Sequence, residues 1–215
     1  MGCLLAENEP KQKSQVSNTQ RVDFSGNALR IENSTGDLMV QGWDRPEVEI
    51  ATIKSGRGVF DLDRVTIAVD RRGDELVIKT GFPRRKIMSP PWRSEGGFDL
   101  EYSIRVPRNV RLTVVHNAGE VHVEEISGDI SVTSRRGEIT LRVPNEGQYA
   151  IDASSKLGDV ISDFPGQGKN LRPWLAGHQF LSAATSGQKL YLRIGCGDII
   201  VWKTMRLPPS TSALR

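Results

Sequence analysis

One five-residue phrase recurs along this chain: glycine, an acid, an aliphatic residue, any residue, then a second aliphatic residue. It reads Gly36-Asp37-Leu38-Met39-Val40, Gly119-Glu120-Val121-His122-Val123, Gly128-Asp129-Ile130-Ser131-Val132, Gly137-Glu138-Ile139-Thr140-Leu141 and Gly197-Asp198-Ile199-Ile200-Val201. A further copy, Gly158-Asp159-Val160-Ile161-Ser162, closes on serine. Side chains alternate faces along a strand, so the two aliphatic residues of each copy point one way and the residue between them points the other. That is the pattern of a half-buried strand. The glycine permits positive φ at the turn before it, and the acid can accept hydrogen bonds from turn amides. One such strand cannot bury its own apolar face, so the units must stack.

The fold expected from this phrase is all-β, with short strands stacked as a β-solenoid of β-helix type. An antiparallel β-sandwich or meander is the alternative, since the nine-residue step between Gly119, Gly128 and Gly137 also suits tight hairpins. No apolar 3.6-residue periodicity persists between the 21 glycines, so long helices are not expected.

Strand signals begin at Arg21. "RVTIAVD" and "ELVIKT", joined through Gly73-Asp74, form a strong hairpin candidate. Residues 81–97 and 165–177 break the alternation and read as loops, the first of them rich in proline and glycine. The expected organisation is a polar leader or tether over residues 1–20, a single β-strand-repeat domain over 21–206, and a tail over 207–215. Net charge is +3 on 29 basic and 26 acidic side chains. Because the signs interleave, no nucleic-acid footprint is expected.

The acids of the repeat suggest two chemistries, and both are disfavoured. Calcium β-rolls use paired glycines with aspartate two residues beyond a glycine, whereas here an acid follows a single glycine directly. Glycosidases hold two carboxyls across a cleft with one of them buried, and turn acids such as Glu120, Asp129 and Glu138, or the pair Glu124-Glu125, offer neither feature. His116, His122 and His178 lack a completing ligand at metal-site spacing. No catalytic residue, cofactor site or metal site is therefore assigned.

The best candidate for partner contact is the loop carrying Arg84, Arg85, Lys86, Trp92 and Arg93. Its charge and indole suit an anionic glycan or another envelope component. Self-association is also expected if the ends of the stack are uncapped. Two cysteines, Cys3 and Cys196, are too few for a disulfide framework. Met1-Gly2-Cys3 before a polar stretch matches the end of a bacterial lipoprotein signal, which makes Cys3 the candidate lipidation site. No complete export signal is visible in these residues.

Three stretches together carry a family resemblance: "LRIENSTGDLMVQGW", "YSIRVPRNVRLTVVHNAGEVHVEEISGDISVTSRRGEITLRV" and "LYLRIGCGDIIV". An alternating strand, "VP" with a short turn, another strand and tandem Gly-acid-aliphatic units resemble the bacterial putative-adhesin family of β-strand-repeat domains, related to auto-transporter adhesin heads. The resemblance runs from about Val22 to Lys203. It implies a β-solenoid-like body, a place in the bacterial envelope, periplasmic or surface and lipid-anchored if Cys3 is modified, and no catalytic residues. The expected function is a non-enzymatic envelope binding or scaffold module. A carbohydrate-active enzyme on a β-helix and a cytoplasmic assembly or regulatory module are the alternatives.

Overall fold

The computed structural model describes residues 13–57, 66–81, 98–144, 148–172, 175–182 and 187–204. Every regular element among them is a β-strand. Three long strands form the centre: β8 (Arg111–Glu124), β9 (Ile130–Pro144) and β14 (Gln188–Thr204). They lie parallel and in one register, with Leu112, Ile130 and Leu190 aligned, then Gly119, Gly137 and Gly197, then Val123, Leu141 and Val201.

Each long strand is one rung with a glycine corner in its middle. On the far side of β8 the same rung is made from two strands, β2 (Ala28–Thr35) and β3 (Asp37–Trp43), with Gly36 between them. Beyond β14, β10 (Tyr149–Ser155) and β11 (Val160–Ser162) flank Gly158 in the same way. An outer rung, β6 (Glu75–Gly81) with β7 (Phe98–Pro107), lies parallel to β2 and β3.

Antiparallel strands close both ends of the stack. At one end β4 (Glu47–Arg57) pairs with β7, β1 (Lys13–Asp23) pairs with β4, and β5 (Thr66–Arg72) pairs with β6. At the other end β13 (Leu175–Ser182) pairs with β10, and β12 (Gln167–Arg172) pairs with β13. The result is one sheet of mixed orientation. The fully antiparallel alternative therefore fails for the centre. Chain order also departs from simple coiling, because β14, the last strand, lies between β9 and β10.

The expected boundaries change in two places. β1 starts at Lys13, inside the stretch read as a leader. Its sequence, KSQVSNTQRVD, is mostly polar, but an edge strand needs backbone partners more than apolar ones, and it finds them along the whole of β4. The segment 165–177, read as a loop, contains β12 and the start of β13. Its glycines and low apolar content hid a hairpin that caps the sheet. The hairpin expected at Gly73-Asp74 is present as β5–β6.

The core is a single cluster filled by columns of aliphatic side chains, one residue per rung. Leu29, Leu112, Ile130, Leu190 and Ile151 form one column in the first halves of the rungs. Leu38, Val121, Ile139, Ile199 and Val160 form the corresponding column in the second halves. Burying each large aliphatic side chain contributes about 1.5–3 kcal/mol. Because rungs stack in register, one phrase repeated in sequence becomes a continuous apolar seam.

Candidate functional site

The glycine corners set the geometry of the outer wall. Gly36, Gly119, Gly137, Gly158 and Gly197 all have positive φ, between 104° and 141°. A Cβ added to Gly119 would meet the Gly36 carbonyl, one on Gly137 would meet Gly119, one on Gly197 would meet Gly137, and one on Gly158 would meet Gly197. The corner backbones are therefore in direct contact from rung to rung, and any side chain would wedge them apart. Gly128 has a different place. It lies in the turn between β8 and β9, opposite Val110, whose carbonyl a Cβ there would strike. The repeating unit is thus a whole rung, from Gly119 to Gly137, and the nine-residue step is half of it.

The acid after each corner glycine inherits the register. Asp37, Glu120, Glu138, Asp198 and Asp159, with Glu101 of the outer rung (which follows Leu100) beside Asp37, form a row of six carboxylates, one per rung. Neighbours in this row are a strand spacing apart, about 4.8 Å. The short acids reach sideways to the next backbone: Asp37 Oδ1 accepts the Glu120 amide at 3.0 Å, and Asp198 Oδ1 accepts the Asp159 amide at 2.7 Å. Asp129 in the inter-rung turn does the same for the Lys189 amide, at 2.9 Å. The longer acids instead turn along their own strand. Glu120 meets His122 Nε2 at 3.1 Å, and Glu138 accepts the Thr140 hydroxyl at 2.8 Å. Asp159 also contacts His178.

Two further rows run beside the acids on this wall. The first is largely uncharged: Ile161, Ile200, Thr140, His122, Met39 and Ser103. The second alternates in sign. Arg142 faces Glu124 at 3.8 Å; Gln41 follows; then Arg105 donates to Glu49 at 3.1 Å and Arg21 donates to the other Glu49 oxygen at 2.8 Å. The Arg21 guanidinium, helped by Arg105 and Arg45, holds the Glu49 carboxyl below its ordinary value against the opposing effect of burial. Trp43 completes this end, with the Arg45 and Arg105 guanidiniums 5.1 and 6.0 Å from its ring centre. None of these ion pairs was visible in the sequence, because Arg21, Glu49 and Arg105 come from three separate strands. The available signal was the alternation of polar residues within each strand.

The chemistry open to this wall is multivalent polar contact. Its carboxylates stand along a ridge and do not face one another across a groove. Among the described residues, no three acids, histidines or cysteines are grouped as metal ligands. A cleft of about 210 Å3 between β1, β4 and β5 is lined by Asn18, Gln20, Thr52, Lys54, Thr66 and two isoleucines, with no acid among them.

His116 lies elsewhere, inside the core. It sits beside Asn33 in the register of β2 and β8; both are buried, and neither side chain makes a well-formed hydrogen bond, the Ala118 backbone offering the His116 ring only a weak polar contact. Burial holds the His116 imidazole below its ordinary value. Glu125 pairs with Arg108 at 2.9 Å. Cys196 is exposed on the corner of β14. Arg84, Arg85, Lys86, Trp92 and Arg93 fall between β6 and β7, outside the described residues, as does Cys3.

The sequence profile of the Toastrack DUF4097 family matches residues 6–174. The chain belongs to that family. The Toastrack match ends before β14, although β14 occupies a central slot of the sheet.

The fold resembles that of a solved structure. A putative cell adhesion protein from Clostridium sporogenes superposes with a TM-score of 0.54 at 10% identity, covering 89% of this chain and 100% of that one. A putative adhesin from Bacteroides fragilis, at 10% identity, covers 88% of this chain and 98% of that one with a TM-score of 0.28. One from Parabacteroides distasonis, at 9% identity, covers 68% and 61% with a TM-score of 0.32. No curated protein matches the chain.

Proposed function

We propose that this Toastrack chain is a non-enzymatic module of the bacterial cell envelope that offers its rigid outer wall as a binding or scaffold surface. The observation that carries this reading is the division of labour within each rung. Inward positions are committed to one aliphatic core, and outward positions repeat as charged and neutral rows along the stack. Such a wall suits an extended, repetitive partner. The fold shared with the Clostridium sporogenes protein, named for cell adhesion, supports the same class. We read the parallel rungs as a solenoid-like body within the mixed sheet. Anionic glycan is the proposed partner of the Arg84, Arg85, Lys86, Trp92 and Arg93 segment, and Cys3 is the proposed site of lipid attachment.

The test is retention of the purified chain on isolated bacterial envelopes, compared with a triple wall variant, Glu120→Gln, Glu138→Gln and Asp198→Asn, and with a loop variant, Arg84→Glu and Arg85→Glu. Loss of retention in either variant supports the surface it alters. Equal retention of all three proteins, or release of new reducing ends from envelope glycan, would sink the proposal. Labelled fatty acid incorporated in the native host, and abolished by Cys3→Ser, tests the anchor.

A further inference from the structure

The exposed edges of this sheet are not alike. β12 has six residues, and its register slips between Asn170 and Arg172. β11 has three residues. β5 ends in Asp70, Arg71 and Arg72. Shortness, irregularity and charge are the usual protections against edge-to-edge pairing. Along residues 14–20 β1 has none of them; its charges lie at its ends, where Arg71 also donates to the Asp23 carbonyl. It runs 11 residues in unbroken register with β4, from Lys13 opposite Arg57 to Asp23 opposite Glu47. Residues 14–20, SQVSNTQ, carry no charge, glycine or proline. Residues 15–21 are all exposed, and among the described residues β1 pairs only with β4. The open cleft lined by Asn18, Gln20, Thr52 and Thr66 lies along the same strand.

We propose that β1 is a self-association edge, through which two copies of the chain pair as antiparallel strands about a two-fold axis at Asn18. The sequence of β1 is complementary to itself in that register. Position 13, a lysine, falls opposite position 23, an aspartate, and position 15, a glutamine, falls opposite position 21, an arginine. No like charges meet. Sliding the register by two residues toward the N-terminus sets the lysine at 13 against the arginine at 21 and shortens the pairing, which disfavours the slip. Pairing at Asn18 would join the two sheets into one and extend the outer wall across both copies. It would also cover Val16, which is 39% exposed. An interface of one strand pair is at the small end of specific contacts, so the dimer forms in a concentration-dependent way. The inference goes beyond the envelope reading and does not depend on it.

Sedimentation of the full chain from micromolar to near-millimolar concentration tests it. The expected result is a shift from the 23.8 kDa monomer toward twice that mass. Asn18 is exposed and sits on the axis, so Asn18→Lys and Asn18→Asp each place like charges together and should remain monomeric over the same range. An equimolar mixture of the two variants should dimerise again, because opposite charges then meet. Asn18→Cys, in a Cys3→Ser and Cys196→Ser background, should crosslink to its own copy under mild oxidation, whereas Arg21→Cys in that background should not. A wild-type chain that stays monomeric throughout overturns the proposal. So do single-charge variants that dimerise like wild type, a mixture that stays monomeric, or equal crosslinking at both positions; any of these would leave the edge to another protein's extended segment or to nothing.

Discussion

The middle of the sheet and its ends solve the same problem by opposite means. In the middle, β8, β9 and β14 stack in parallel and match residue for residue, glycine on glycine and aliphatic on aliphatic. At the ends, β1 on β4 and β12 on β13 are antiparallel, polar and held chiefly by backbone pairing. A matched parallel stack concentrates stability in a few positions that tolerate little change. A polar antiparallel cap spreads it over hydrogen bonds that many residues could supply. Breaking each kind of region should therefore give very different losses.

The largest loss is expected from removing β14. It pairs with β9 on one side and with β10 and β11 on the other, so it joins the two parts of the sheet. A chain ending at residue 187 removes Leu190 from between Ile130 and Ile151 in the core column, and among the described residues no other strand pairs with both β9 and β10. Chemical denaturation followed by circular dichroism should show no cooperative transition. A cooperative transition close to that of the full chain would mean that β14 is an accessory, and the centre-against-end contrast would fall.

Gly137→Ala ranks next. The residue has a φ of 126°, and its added Cβ would run into the Gly119 carbonyl. Backbone strain and overpacking each cost about 1–3 kcal/mol, so a total of roughly 3 kcal/mol or more is expected in denaturant titration. A loss under about 1 kcal/mol would show that the corners can separate without strain.

These two sites also show where the sequence was legible. The Gly-acid-aliphatic phrase gave away the all-β class, the inward columns and the corners, because parallel in-register stacking converts repetition along the chain into repetition in space. It misled at Gly128, where a turn glycine copies the phrase without sharing the corner. Chain order was hidden for a related reason. Gly197 looks like the next corner after Gly158, but β14 enters between β9 and β10, and the phrase carries no label for its slot. β1 and β12 were missed because polar edge strands lack an apolar signature. On the wall, the acid row could be read residue by residue, while the Arg105–Glu49–Arg21 ladder could not, since its members lie 28 and 56 positions apart and only the fold brings them together.

His116 offers a smaller test inside the stack. Burial lowers its proton affinity, with the Ala118 backbone and then the Asp37 carboxylate pulling the other way. The folded value lies below the unfolded 6.5, so the unfolded chain takes up the proton first. Stability is therefore intact above pH 6.5 and declines as pH falls below it toward the folded value. His116→Leu removes a buried imidazole that lacks well-formed hydrogen bonds, which should stabilise by about 1–3 kcal/mol at neutral pH. The gap between variant and wild type should widen from pH 7 to pH 5, measured by denaturant titration at each pH. A gap that stays constant would mean that His116 does not titrate differently on unfolding.

The smallest effect is expected at the far end, in β12. Gly168 has an ordinary negative-side φ, and a Cβ placed there meets nothing within 4 Å. Alanine restricts the unfolded chain without straining the folded one, so Gly168→Ala should be neutral or stabilising by about 0.4–1 kcal/mol. Against Gly137→Ala, the same chemical change should then differ in sign, and the two melting curves measured side by side give the contrast directly. If Gly168→Ala instead destabilises the protein by as much as the corner substitution, the cap is as closely matched as the centre, and the distinction between a tightly keyed stack and a permissive edge no longer describes this fold.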